Sequence, residues 1–170
     1  MIPNTLLPEG TSYCIAGGWA ACPALALDKD VWVFADPQED IVALRDILLK
    51  HLDDDNAEYE VEDETRSAAG YEGVISILRV AKVEVPGEAQ PIHLLITNAK
   101  DAHDLIESFD VSAHQIALSS QGHVIKGQGF TPVTVKPVKL KETPTTDERL
   151  IKIGERYGHH FDYRVNTTGL

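Results

Sequence analysis

Long apolar runs are missing from this 170-residue chain. None approaches the roughly 20 residues that a membrane-spanning helix needs. The opening Met1-Ile-Pro-Asn-Thr-Leu-Leu-Pro8 has neither the basic nor the apolar region of a secretory signal. A cytoplasmic protein without membrane contact is therefore expected. Cysteine is scarce as well: Cys14 and Cys22 form no C-x-x-C or Cys/His ligand pattern and read as two reduced thiols. H-E-x-x-H and G-x-S-x-G are absent, so the chain offers no zinc-protease helix and no hydrolase nucleophile elbow. The histidines are scattered, only His159-His160 being adjacent, and a lone histidine in a strand such as His93 reads as a hydrogen-bonded structural residue. Positive charge is short too. Fifteen Lys/Arg stand against 27 Asp/Glu, and a net charge of −12 argues against gripping nucleic acid through non-specific phosphate contacts.

What is present suits one compact domain over residues 1–170: 43% of the chain is hydrophobic, enough for a core. The charge is unevenly placed. Residues 121–170 hold eight Lys/Arg against five acids, whereas residues 1–120 hold seven against 22. A mildly basic arm on an acidic body could face an anionic ligand, or serve docking within the fold. The densest acid lies at Asp53–Glu64, eight carboxylates in twelve residues with no base. It reads as a solvated loop. The sharper alternative is a docking surface that imitates nucleic-acid phosphates toward a basic protein partner.

Along the chain, Cys14-Ile-Ala leads into Gly17-Gly18, an Ala/Leu-rich helical segment and a strand Val31–Phe34 opened by Asp28-Lys29-Asp30. Ile41, Leu44, Leu48 and Leu52 fall at helical spacing and predict a helix over 39–52. Residues 73–85 predict a long strand broken near Ala81, and 91–97 a buried central one. A short helix over 100–108 precedes a stretch, 109–118, that continues into another strand. Val133–Leu140 alternates Val and Lys as an exposed edge strand would. A helix capped by Thr145 or Thr146 runs to Tyr157 and ends at Gly158. The layout is α+β: a small mixed sheet with helices packed on one face.

Three groups could carry chemistry. A glycine pair permits close backbone approach, and the helix start behind Gly17 and Gly18 would offer N–H groups to phosphate. Asp28 and Asp30, two apart at a strand start, point to one face and could hold a divalent cation, or could simply be a surface turn. Arg149, Lys152 and Arg156 recur at helical spacing and make one face cationic, either to cradle a triphosphate or to balance Glu148 and Glu155 in solvent.

In order and spacing these motifs resemble the nucleotidyltransferase superfamily, which includes DNA polymerase beta, poly(A) polymerases and CCA-adding enzymes. The residues that carry the likeness are Gly17-Gly18, Lys29-Asp30-Val31, Ile92–Ile96, Asp104-Leu-Ile-Glu-Ser-Phe-Asp110 with His114-Gln115-Ile-Ala, and Arg149-Leu-Ile-Lys152 through Tyr157. The likeness implies a nucleotidyltransferase-like fold, a nucleoside triphosphate as ligand, and Mg²⁺ held by carboxylates that activate a hydroxyl and steady the leaving pyrophosphate. It aligns Asp30 with the first carboxylate and Trp32 with the second, where an indole cannot bind Mg²⁺. Sliding the register makes Asp28 and Asp30 the catalytic, metal-holding pair, with Lys29 between them. Three functions follow: a nucleotide-binding protein whose transfer is weakened or lost, an active Mg²⁺-dependent transferase on an RNA or protein acceptor, and an acidic protein that engages a basic partner.

Overall fold

The computed structural model describes residues 2, 3, 5–36, 38–66 and 77–158. Residues 73–76 of the strand expected over 73–85, and His159-His160, lie outside these. In chain order the elements are β1 Tyr13–Ala16, α1 Gly18–Ala21, β2 Lys29–Phe34, α2 Ile41–Asp54, β3 Glu58–Arg66, β4 Ile77–Glu84, β5 Ile92–Thr97, α3 Ala102–Glu107, a 3-10 turn Ser112–His114, β6 Ile116–Ser119, β7 Val124–Lys126 and α4 Thr146–Tyr157. The strands form one sheet in the order β3-β4-β5-β2-β1-β6-β7. Every pairing is antiparallel except β2 with β5, which register Asp30 against His93 and Trp32 against Leu95. The fold is α+β with a mixed sheet. Among the described residues no helix is long and apolar enough to cross a membrane.

The central strands are apolar on both faces, and this decides where the helices go. Val31 and Val33 of β2, Leu94 and Ile96 of β5 and Ile15 of β1 pack with Leu44, Leu48 and Leu52 of α2. Their neighbours Trp32, Leu95, Cys14 and Ala16 point the other way and pack with Ala102, Leu105 and Ile106 of α3 and with Phe109. So the helices divide between the two faces rather than sharing one. The runs Val-Trp-Val and Leu-Leu-Ile leave no polar face for solvent, and each side needs its own cover. Both covering helices start on aspartate caps: Asp40 accepts from the Val42 N–H at 2.9 Å, and Asp101 from the Asp104 N–H at 2.8 Å. Asp104 in turn accepts from the Lys100 N–H at 2.9 Å, which ties the start of α3 to the residue before its cap.

Two expected segments differ. Asp53 and Asp54 end α2, and from Glu58 the acidic run is strand β3, not a loop. It pairs with β4 on one side only, and exposed Glu58 and Glu60 line that edge. Charges on an edge strand deter pairing with a second sheet, which gives these acids a structural reason to be there. Conversely, residues 133–140 form no strand; one isolated bridge, Val111 with Lys139, is all that pairs there. Pro132 and Pro137 remove the donors that a ladder would use. The segment is tied down by Ser112 instead, whose Oγ accepts from the Val138 N–H at 2.8 Å. The break expected near Ala81 is present as a register shift between Arg79 and Ala81.

Leu48 is fully buried beneath α2, whereas its neighbour Ile47 is 52% exposed. Leu48→Ala is expected to cost about 3 kcal/mol in urea unfolding, and Ile47→Ala to stay within about 0.5 kcal/mol.

Candidate functional site

On the face opposite α2, a cavity of about 430 Å³ opens between the strand ends and α4. The alternation of β2 supplies one wall: Asp28, Asp30 and Trp32 line the cavity, while Lys29 turns to the other side. There Lys29 is buried, with Nζ 4.4 Å from the Trp19 ring centre and 3.6 Å from Glu88 Oε2. Gly17 and Gly18 line the cavity where β1 ends, and Arg149, Lys152 and Arg156 line it from α4. All seven residues singled out from sequence therefore border one space. Arg79, Asp110 and His114 border it too, and sequence spacing did not single them out as site residues. Asp110 and His114 both stood within stretches that carry the family likeness, which was a signal; Arg79 arrives through sheet register, which leaves no periodic trace.

The glycines differ from each other. Gly17 has φ +96°, a conformation that favours glycine, and its N–H is already donated to the Ile116 carbonyl at 3.1 Å. It therefore has no N–H to give a phosphate. A Cβ at Gly18 would meet His114 Nε2 at 3.9 Å and Arg156 Nη1 at 4.0 Å, ordinary contact distances, so it is openness rather than clash that glycine provides there. Helix α1 is only four residues long and adds little dipole. Its far end, Ala21 and Cys22, where an Arg-Asp pair would follow the family pattern, packs on the cluster of Val111, Ile153 and Tyr157.

The three cations of α4 also separate. Arg149 is ion-paired to Asp110, which is 1% exposed and also accepts from Thr146 Oγ1 at 2.7 Å and from Thr143 Oγ1 at 3.4 Å. Lys152 makes an exposed pair with Glu148, at 3.1 Å. Thr145 takes the cap position of α4 without a side-chain cap bond, while Thr146 spends its hydroxyl on Asp110.

On the acidic wall, burial pushes the Asp30 carboxyl up to about 7, and the Asp28 charge pushes the same way; His93 and Arg79 oppose it. His93 is the hub behind these acids, with Nε2 3.4 Å from Asp28 Oδ2 and Nδ1 2.8 Å from Glu62 Oε1. The second contact is close but poorly aligned, since Nδ1 makes no hydrogen bond. His93 is thus held among carboxylates rather than in an apolar core. Across the cavity, burial lowers His114 to about 4, with the Arg149 charge next in weight and Asp110 opposing, so its imidazole is neutral at pH 7.

Asp28 and Asp30 offer the hard oxygens that Mg²⁺ prefers, and Mg²⁺ commonly takes one or two carboxylates and completes its shell with water and phosphate. Both line the cavity, so together they would supply two carboxylates to one such ion. Trp32 brings no ligand for a second, and among the described residues no group of three or more His, Cys, Asp or Glu could hold a metal unaided. No protein-family model matches the chain, and no curated protein matches it. The likeness to nucleotidyltransferases rests on the motifs and their order.

Two outcomes follow. A raised carboxyl pKa means that ionising Asp30 costs folding energy. The cost is absent below about pH 4, grows up to about 7 and is constant above that. In the presence of a chelator, Asp30→Asn should leave the melting temperature unchanged near pH 4 and raise it by a margin that grows to pH 7 and then levels. Removing the buried partner of Arg149 should act oppositely: Asp110→Ala is expected to cost roughly 3 kcal/mol in urea unfolding.

Proposed function

We propose that this chain is a nucleotidyltransferase-fold protein that binds a nucleoside triphosphate in the cavity, with metal-dependent transfer weakened or lost. One observation carries the reading: acidic Asp28 and Asp30 face the cationic side chains of α4 across a single cavity of about 430 Å³. That volume lies within the range of small-molecule sites. Lys152 and Arg156 meet the phosphate charge, and Arg149, anchored by Asp110, fixes the helix that presents them. Gly18 leaves room for the ligand beside His114 and Arg156. Asp28 and Asp30 would hold one Mg²⁺, which would supply positive charge to offset the repulsion between their carboxylates and a phosphate. Weakened transfer follows from Trp32, whose indole gives no ligand to a second cation. Two free cysteines, one of them buried, agree with a reducing cytoplasm.

Calorimetry with ATP, CTP, GTP and UTP in Mg²⁺ tests the reading. At least one should bind, and Lys152→Ala with Arg156→Ala should weaken it by about tenfold or more, the size of a lost charge-assisted contact. If none binds, the pocket reading fails. Transfer of label from α-³²P nucleotides should be slight; robust transfer that Asp30→Asn abolishes would establish an active enzyme instead.

A further inference from the structure

Three of the Lys and Arg side chains that line the cavity stand on α4, but the fourth comes from the sheet. Arg79 lies on β4, half-buried, and its guanidinium keeps accessible surface. Among the described residues its side chain makes no hydrogen bond and no ion pair, although its charge acts on Asp30. Arg149 is held by Asp110 and Lys152 pairs with Glu148, so Arg79 is set apart as a cation at the cavity without a carboxylate of its own. A guanidinium that gives up part of its hydration is stabilised by an anionic partner.

Strand register fixes where Arg79 sits. Arg79 is opposite Leu95, Leu95 opposite Trp32 and Trp32 opposite Cys14, so one row crosses β4, β5, β2 and β1. Neighbouring strands lie about 4.8 Å apart, which puts the Arg79 backbone about 14 Å from β1. Arg156 stands beyond the end of β1, its Nη1 4.0 Å from where a Cβ on Gly18 would be. The two arginines therefore mark opposite ends of the cavity. Between them the sheet presents Leu95 and Trp32, flanked by Ile77 and Phe109, all lining the cavity and all uncharged. Asp28 and Asp30 precede Trp32 in the chain and fall to one side of this row.

A run of phosphates laid from one arginine to the other would cross apolar side chains. Two anionic groups joined by an uncharged middle would not. We propose that Arg79 is a second anion subsite, and that the ligand is a mononucleotide with phosphate on both sides of its nucleoside. One end meets Lys152 and Arg156, and the other meets Arg79. This rests on the nucleotide reading above and deepens it by naming the charge layout of the ligand.

Adenosine 3′,5′-bisphosphate and ADP carry two phosphates each, at two ends in the first and at one end in the second. Both would be titrated by calorimetry into wild type and Arg79→Ala, with and without Mg²⁺, beside ATP as reference. Wild type should bind the bisphosphate about tenfold tighter than ADP, the size of a charge-assisted contact. Arg79→Ala should erase that preference and leave ADP affinity nearly unchanged, whereas Lys152→Ala should weaken both ligands alike. Melting curves would verify folding; should Arg79→Ala fail to fold, Arg79→Gln replaces it, and the wild-type comparison stands by itself. Equal binding of the two ligands by wild type overturns the second subsite. So does a preference that survives in the variant. An equal loss for both ligands in the variant overturns it too, and places Arg79 on the same phosphate chain as α4. ATP binding beside any of these results leaves the nucleotide reading standing, and binding of none of the three ligands removes both.

Discussion

The Asp110 carboxylate anchors the helix that forms one wall of the cavity. It is buried between the end of the α3 segment and α4, and it binds Arg149, Thr146 and Thr143 together. An isolated carboxylate at that depth would be very costly, and its pairing with a guanidinium and two hydroxyls makes the burial tolerable. The same contact fixes the rotation of α4 about its axis. With Arg149 turned inward, Lys152 and Arg156 follow on the cavity side, while Ile153 and Tyr157 pack on Val111 and Ala113. A pairing that is structural in itself thereby sets the sign of the charge on one wall.

The opposite wall obeys the two-residue period of β2. Because successive side chains of a strand point to opposite faces, Asp28, Asp30 and Trp32 share the cavity and Lys29, Val31 and Val33 share the α2 side. Lys29 sits among acids in sequence but not in space. Its charge is held by Glu88 and the Trp19 ring on the far face, so it cannot neutralise Asp30. Burial of Asp30 and the nearby Asp28 charge raise its affinity for a proton, and His93 and Arg79 offset only part of this.

Legibility in the sequence followed periodicity. The α2 helix, the central strands and the cationic face of α4 were readable because each repeats an interval set by its own backbone. The Asp28/Asp30 face was readable for the same reason. What escaped reading depends on partners far along the chain. Strand β3 looked like a loop because its acids outweighed its alternation, and only its place at the sheet edge explains them. Residues 133–140 alternated like a strand, but two prolines forbade the ladder and Ser112 supplied the substitute bonds. Arg79 reached the cavity through a register shift that no local pattern announces, whereas His114 stood in a quoted stretch and only its place in a turn was hidden.

The one parallel pairing in the sheet has a consequence for how the molecule assembles. β2 at residues 29–34 lies beside β5 at residues 92–97, with the whole of α2, β3 and β4 between them in sequence. Contacts so distant along the chain form slowly, because loop closure must precede any reward from packing. The centre of the sheet therefore cannot close until β5 has been synthesised, and α4, from residue 146, must still dock on Asp110. Until α3 follows β5, the face of β1 and β2 that carries Cys14, Ala16 and Trp32 lacks cover, and a nascent or refolding chain is at its most aggregation-prone. The cavity is thus the last feature this fold acquires, and the first lost when α4 comes away.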